Sequence, residues 1–106
     1  MTPYLQVITT VARRDEAERI AVELVSARLA GCVQIVGPIK SVYRWQGTVE
    51  SAEEWQCLIK TRSDRFAEVE QAVLRVHPYD TPELLATPIA LGNSKYLEWL
   101  EQELGE

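Results

Sequence analysis

Apolar and polar residues alternate along this chain with two periods, and the switches between them divide it into seven segments. Tyr4 to Thr10 is rich in apolar and β-branched residues and reads as a first strand. From Asp15 the period lengthens to that of a helix, with Ala17, Ile20, Ala21 and Leu24 on one face and Val25 and Leu29 widening it. Asp15 is the expected N-cap, with Glu18 three residues on returning the bond, and Gly31 is the expected left-handed stop. Cys32 to Val36 and Ile39 to Gln46 then read as extended structure bent at Gly37-Pro38, where proline cannot donate to a ladder. Gln46-Gly47-Thr48 is a turn signal, and Ala52 to Thr61 returns as the partner strand.

A second helix is expected from Ser63 or Asp64, with Phe66, Val69, Ala72, Val73 and Val76 on its apolar face and Pro78 as its end. Leu84 to Leu91 reads as a fourth strand, confined to an edge by Pro88. Gly92-Asn93-Ser94 opens a last helix carrying Leu97, Leu100 and Leu104. The order β-α-β-β-α-β-α predicts an α+β class: a ferredoxin-like βαββαβ sandwich over residues 1–106, one domain, with an extra C-terminal helix and a long β2–β3 hairpin. From Cys32 to Gln46 that hairpin arm runs fifteen residues, against the five or six, roughly, of an ordinary strand. An arm that overshoots its sheet leaves backbone and aromatics unpaired, and pairing with further subunits in a closed oligomer is the economical remedy.

Composition removes several function classes. The 106 residues hold 11 basic and 16 acidic side chains, a formal charge of −5, and the basic ones form no stripe. No nucleic-acid partner and no membrane partner is expected on that balance, and no apolar run approaches the roughly 18 residues of a membrane span. The start of the chain lacks a basic, then apolar, leader pattern, so a cytoplasmic location is expected. No glycine-rich phosphate loop is present, and Cys32 and Cys57 both sit in apolar runs that disfavour a thiolate. The chain is therefore read as no enzyme.

The densest chemistry is His77-Pro78-Tyr79-Asp80-Thr81-Pro82-Glu83, stiffened by its two prolines and holding the only histidine. Imidazole beside Asp80 or Glu83 suits a divalent transition metal. The same histidine at a helix C-terminus equally suits a capping role. Tyr43, Trp45, Lys60 and Tyr79 with Glu83 offer walls for a small-molecule cleft; alternatively Trp45 and Trp55 face a neighbouring subunit, as interface aromatics do.

Three segments, Leu29-Ala30-Gly31-Cys32-Val33-Gln34-Ile35, Ser41-Val42-Tyr43-Arg44-Trp45-Gln46-Gly47 and the His77–Glu83 loop, together resemble the CutA divalent-cation tolerance proteins, as do Ile59-Lys60-Thr61 and Tyr96-Leu97-Glu98-Trp99-Leu100. The resemblance runs from first strand to last helix. It implies a ferredoxin-like subunit in a PII-like homotrimer and a role in tolerance to divalent metals, copper above all. It also implies that animal relatives anchor a membrane enzyme. Copper-binding members can carry a cysteine at the end of the first strand and a second histidine before the His-Pro-Tyr segment. Here Thr9 stands near the first place and Val76 occupies the second.

The expectation is thus a trimer binding Cu(II) or another divalent cation weakly through His77, with Glu83, Asp80 or Cys32 assisting and no organic cofactor. Two alternatives stand beside it. One is a PII-like sensor with a small molecule in an inter-subunit cleft walled by Tyr43, Trp45, Lys60, Tyr79 and Glu83; the other is an anchoring trimer without a ligand.

Overall fold

The computed structural model describes residues 3–105. Four strands, β1 (Tyr4–Val11), β2 (Cys32–Trp45), β3 (Thr48–Arg62) and β4 (Leu84–Pro88), form one antiparallel sheet in the order β2-β3-β1-β4. Helices α1 (Arg14–Ser26) and α2 (Phe66–Val76), the latter led by a 3-10 turn at Ser63–Arg65, cover one face. Helix α3 (Ser94–Glu103) closes the chain. The α+β ferredoxin-like arrangement is as the periodicity predicts.

Side-chain parity explains the layering. Val7 and Val11 of β1 and Cys57 and Ile59 of β3 point to the helices, where they bury against Ala17, Ile20, Leu24, Val69, Ala72 and Val73. Cross-strand partners in an antiparallel ladder share a face, so the rows Leu85–Ile8–Leu58–Gln34 and Thr10–Gln56–Val36 line the other face. There Leu85 is 61% and Val36 42% exposed. Pro88 does fall on the edge strand.

The hairpin stays paired right up to its turn. Gln46 (φ 49°) and Gly47 (φ 83°) are both left-handed and join β2 to β3 with two residues, so Trp45 pairs with Thr48 and Tyr43 with Glu50. The register slips between Val36 and Ile39, the bulge expected at Gly37-Pro38. A Cβ at Gly37 would lie 2.5 Å from the Trp55 ring, so only glycine lets that indole close over the bend. Trp55 is half-buried there, with the Arg14 guanidinium 5.7 Å above its ring. It packs at the edge of the core.

Three helix ends differ from expectation. Helix α2 is capped by neither Ser63 nor Asp64, which lie in the 3-10 turn ahead of it, and has Arg65 at its N-cap. Helix α1 is capped two residues early: Arg13 is the N-cap, and its N–H donates to the Glu16 carboxylate at 3.1 Å, displacing the Asp15–Glu18 pair. At the other end the left-handed residue is Arg28 (φ 60°), not Gly31. Leu29 N–H reaches the Leu24 carbonyl (3.0 Å) and Arg28 N–H that of Val25 (3.1 Å), a Schellman motif. Arginine occupies the strained position because its guanidinium donates to the Gln102 and Glu103 carbonyls at 2.8 and 3.0 Å, capping α3. Gly31 is instead a close-approach residue: a Cβ there would meet Leu100 Cδ1 at 2.5 Å. Helix α3 is capped as expected, the Asn93 side chain accepting from Tyr96 N–H at 3.1 Å.

Candidate functional site: an acidic cleft closed by a histidine strap

The end of α2 delivers His77 onto β1. Because the Thr10 carbonyl can only accept, the His77 Nε2–H donates to it (2.9 Å) and shares that proton with Thr9 Oγ1 (3.1 Å). Nδ1 in turn accepts from the Tyr79 N–H at 3.1 Å. The two bonds define a neutral imidazole with both nitrogens engaged. Burial holds the ring below the usual histidine range, opposed by the Thr10 carbonyl and by the charges of Glu16 and Glu54.

Thr9, wholly buried, completes the strap. Its hydroxyl donates to the Glu83 carbonyl at 2.7 Å, so both ends of the 77–83 loop are tied to one threonine of β1. Between them the Tyr79 phenol donates to the Glu54 carboxylate of β3 at 2.8 Å, and the His77 and Tyr79 rings meet edge-on at 5.0 Å. Burial, then the Glu54 bond and charge, push the phenol well above the ordinary tyrosine range. Glu54 is only 8% exposed.

Between this loop and the overshooting hairpin lies a cleft of about 820 Å³. Tyr43, Trp45 and Tyr79 supply aromatic walls; Glu50, Glu54, Asp80 and Glu83 supply carboxylates; among the described residues no Lys or Arg lines it. Of the residues the sequence suggests for a cleft, Tyr43, Trp45, Tyr79 and Glu83 are brought together and Lys60 is not. Lys60 lies opposite Cys32 on the ladder and donates to the Gln6 side chain. Glu50 and Glu54 are the residues sequence reasoning misses, although the two-residue turn sets Glu50 across from Tyr43.

Among the expected metal ligands, Asp80 and Glu83 share the cleft, while His77 stands behind it in the strap. Cys32 is elsewhere: it opens β2, three residues from the Ile35 that pairs with Cys57, the neighbour of Thr9. That is about 10 Å along the strand. Its neighbour is Tyr96 of α3, whose hydroxyl is raised first by burial and then by the thiol. Cys57 is buried, its thiol pushed up to about 11 by desolvation, and bonds the Ala17 carbonyl. Among the described residues no three His, Cys, Asp or Glu side chains converge as a metal cage. The donors that share the cleft are carboxylate oxygens.

A sequence model described as CutA1 divalent ion tolerance protein matches residues 5–103. The chain belongs to the CutA1 divalent ion tolerance family. It is 44% identical over 99 residues to the divalent-cation tolerance protein CutA of Thermus thermophilus, covering 93% of this chain and 96% of that one. A relative of the same name from Archaeoglobus fulgidus is 44% identical over 93 residues, 88% of this chain and 90% of that one. Among solved CutA1 structures, that from Thermus thermophilus superposes with a TM-score of 0.93 at 43% identity, covering 96% and 99% of the two chains. The rice CutA1 structure gives 0.95 at 41% identity, with 99% and 96% covered. The family is named for tolerance to an ion and not for a reaction, and its relatives carry names from different compartments, chloroplastic in rice and periplasmic in Archaeoglobus fulgidus.

Proposed function

We propose that this CutA1 family member is a divalent-cation tolerance protein that works as a homotrimer and holds divalent cations, Cu(II) among them, weakly at the acidic cleft. The observation that carries the reading is the gathering of Glu50, Asp80 and Glu83, with the buried Glu54 behind them, on one cleft that no basic side chain lines among the described residues. Carboxylate oxygens are suitable ligands for divalent cations, and the net charge of −5 raises cation concentration near the surface. Asp80 and Glu83 are the first contacts, because they sit on the exposed loop. His77 joins only by surrendering the Tyr79 bond, so imidazole ligation is opposed by the fold.

Calorimetric titration of Cu(II) and Zn(II) into chelator-treated protein tests this reading. Micromolar or weaker binding that falls at least tenfold in Asp80→Asn/Glu83→Gln is expected. Affinity unchanged in that variant refutes it.

The assembly rests on the uncovered sheet face and on the hairpin beyond it, where Val42 and Val49 are 66% and 65% exposed. Large apolar patches of this kind mark interaction surfaces, and the family resemblance implies three subunits. Sedimentation at three times the 12.0 kDa chain is expected, and a 12.0 kDa species at micromolar concentration would contradict it. The sensor alternative keeps one observation in its favour: about 820 Å³ with three aromatics is within the usual range of small-molecule pockets, roughly 300–1,000 Å³.

A further inference from the structure

We propose that Gly37, Trp55 and Glu54 form a rigid elbow that aims the hairpin arm, and that this aim, set within one chain, decides whether subunits assemble. The inference rests on the homotrimer proposed above and names the residues that position its interaction surface. Strand β1 gives β3 its last partner at the Val11–Trp55 pair. Beyond that pair the only strand beside β3 among the described residues is β2, through the seven pairs from Ile39–Glu54 to Trp45–Thr48. A two-stranded ribbon without a packed layer is marginal and twists readily. An arm of that length reaches about 20 Å, so a turn of about 10° at its root carries the tip about 3.5 Å, most of the ~4.8 Å between paired strands. Assembly through the arm therefore requires a fixed root.

The root is clamped on both faces. The register runs from Val36–Gln56 to Ile39–Glu54, so Gly37 and Pro38 together stand opposite Trp55. A bulge of this kind bends its strand and raises the local twist. Trp55 shares the helix-side face with its partner Val11. Its ring fills the bend so closely that a Cβ on Gly37 would lie 2.5 Å from Cε3 and 2.7 Å from Cδ2. The same ring packs against the core and lies 5.7 Å from the Arg14 guanidinium of α1. Glu54, the next residue along β3, points to the opposite face, where it is buried and accepts from the Tyr79 phenol at 2.8 Å. Consecutive residues of β3 are thus fixed from opposite sides, one by α1 and the core, the other by the 77–83 loop. Close packing of this kind admits few arrangements, so the arm is presented in one direction and association need not order it.

Sedimentation of the full chain at micromolar concentration, with circular dichroism of the same samples, tests the elbow. Gly37→Ala overfills the bend and Trp55→Val empties it. Each should populate the 12.0 kDa species where the parent is assembled, while keeping the parent's dichroism. In the double variant the alanine methyl takes space the indole has left, so it should assemble more fully than Gly37→Ala alone. Val69→Ala, which thins the core on α2 away from the bend, should stay assembled. Hydrogen exchange reads the arm itself: amides from Ile39 to Glu54 should exchange at least tenfold faster in each single variant, while those of Val7 and Ile59 keep their protection. Single variants that assemble as the parent does, or a double variant no better than Gly37→Ala, overturn the proposal. Global unfolding of both single variants also overturns it, since the bend would then hold the core and not the arm. A parent that is itself 12.0 kDa refutes the homotrimer reading, and the exchange contrast then decides the elbow on its own. An assembled parent with indifferent variants refutes the elbow alone.

Discussion

Replacing His77 by alanine tests whether the ring is a strap or a free ligand. The substitution removes the Nε2–H bond to the Thr10 carbonyl (2.9 Å) and the acceptor for Tyr79 N–H (3.1 Å). Each such bond contributes about 1 kcal/mol net. It also removes the edge contact with Tyr79 at 5.0 Å, a further ~0.5–1.5 kcal/mol. Since the ring is only half-buried, water can replace part of this, and a loss of about 2 kcal/mol is expected. Urea unfolding at one fixed protein concentration measures it, because the stability of an oligomer depends on concentration. Thr9→Val removes the hydroxyl that joins His77 to the Glu83 carbonyl, so the two substitutions should couple by at least ~0.5 kcal/mol in a double-mutant cycle. A His77→Ala variant within about 0.5 kcal/mol of the parent, and additive with Thr9→Val, would refute the strap. Loss of metal binding in that same variant would identify the ring as a ligand.

Three further outcomes follow from the same geometry. The folded protein resists protonating His77, whose pKa lies below its unfolded value of 6.5. Its contribution is therefore present above 6.5 and is lost as pH falls from there through the folded value. Melting at pH 7.5 and pH 5 should show a drop that is smaller in His77→Ala. Gly31→Ala puts a Cβ 2.5 Å from Leu100 Cδ1, an overpacking that should cost about 1–3 kcal/mol in chemical denaturation; a neutral effect would show that α3 yields freely. Leu85→Glu places a charge on the uncovered sheet face where the leucine is 61% exposed. Sedimentation should then show smaller species while the circular dichroism of the subunit is retained.

The strands and helix faces are legible because their information is local: alternation in Tyr4–Val11 and the helical spacing of Val69, Ala72 and Val73 each require only neighbours. The expected edge strand also follows from one proline. Gly31 was legible as a glycine but not for its reason, since Leu100 approaches it from nearly seventy residues away. Arg28 takes the left-handed place that a helix end ordinarily gives to glycine, and only its reach to the α3 carbonyls explains that choice. Of the site, the His77–Glu83 loop stands out by composition, and Tyr43 and Trp45 by their shared strand face. Glu50 could have been found by counting back from the Gln46-Gly47 turn. Glu54 could not: its burial arises when the loop folds over it and the Tyr79 phenol closes down. The engaged state of His77 is likewise tertiary, because both partners of its Nε2–H lie on a strand sixty-seven and sixty-eight positions away.

The most direct test of the central claim is the electron paramagnetic resonance spectrum of substoichiometric Cu(II) added to the protein near pH 7. Cation binding through Asp80 and Glu83, with His77 held in its strap, predicts an oxygen-coordinated signal that fades in Asp80→Asn/Glu83→Gln and persists in His77→Ala. Nitrogen hyperfine structure that vanishes with His77→Ala and ignores the carboxylate variant would contradict the account.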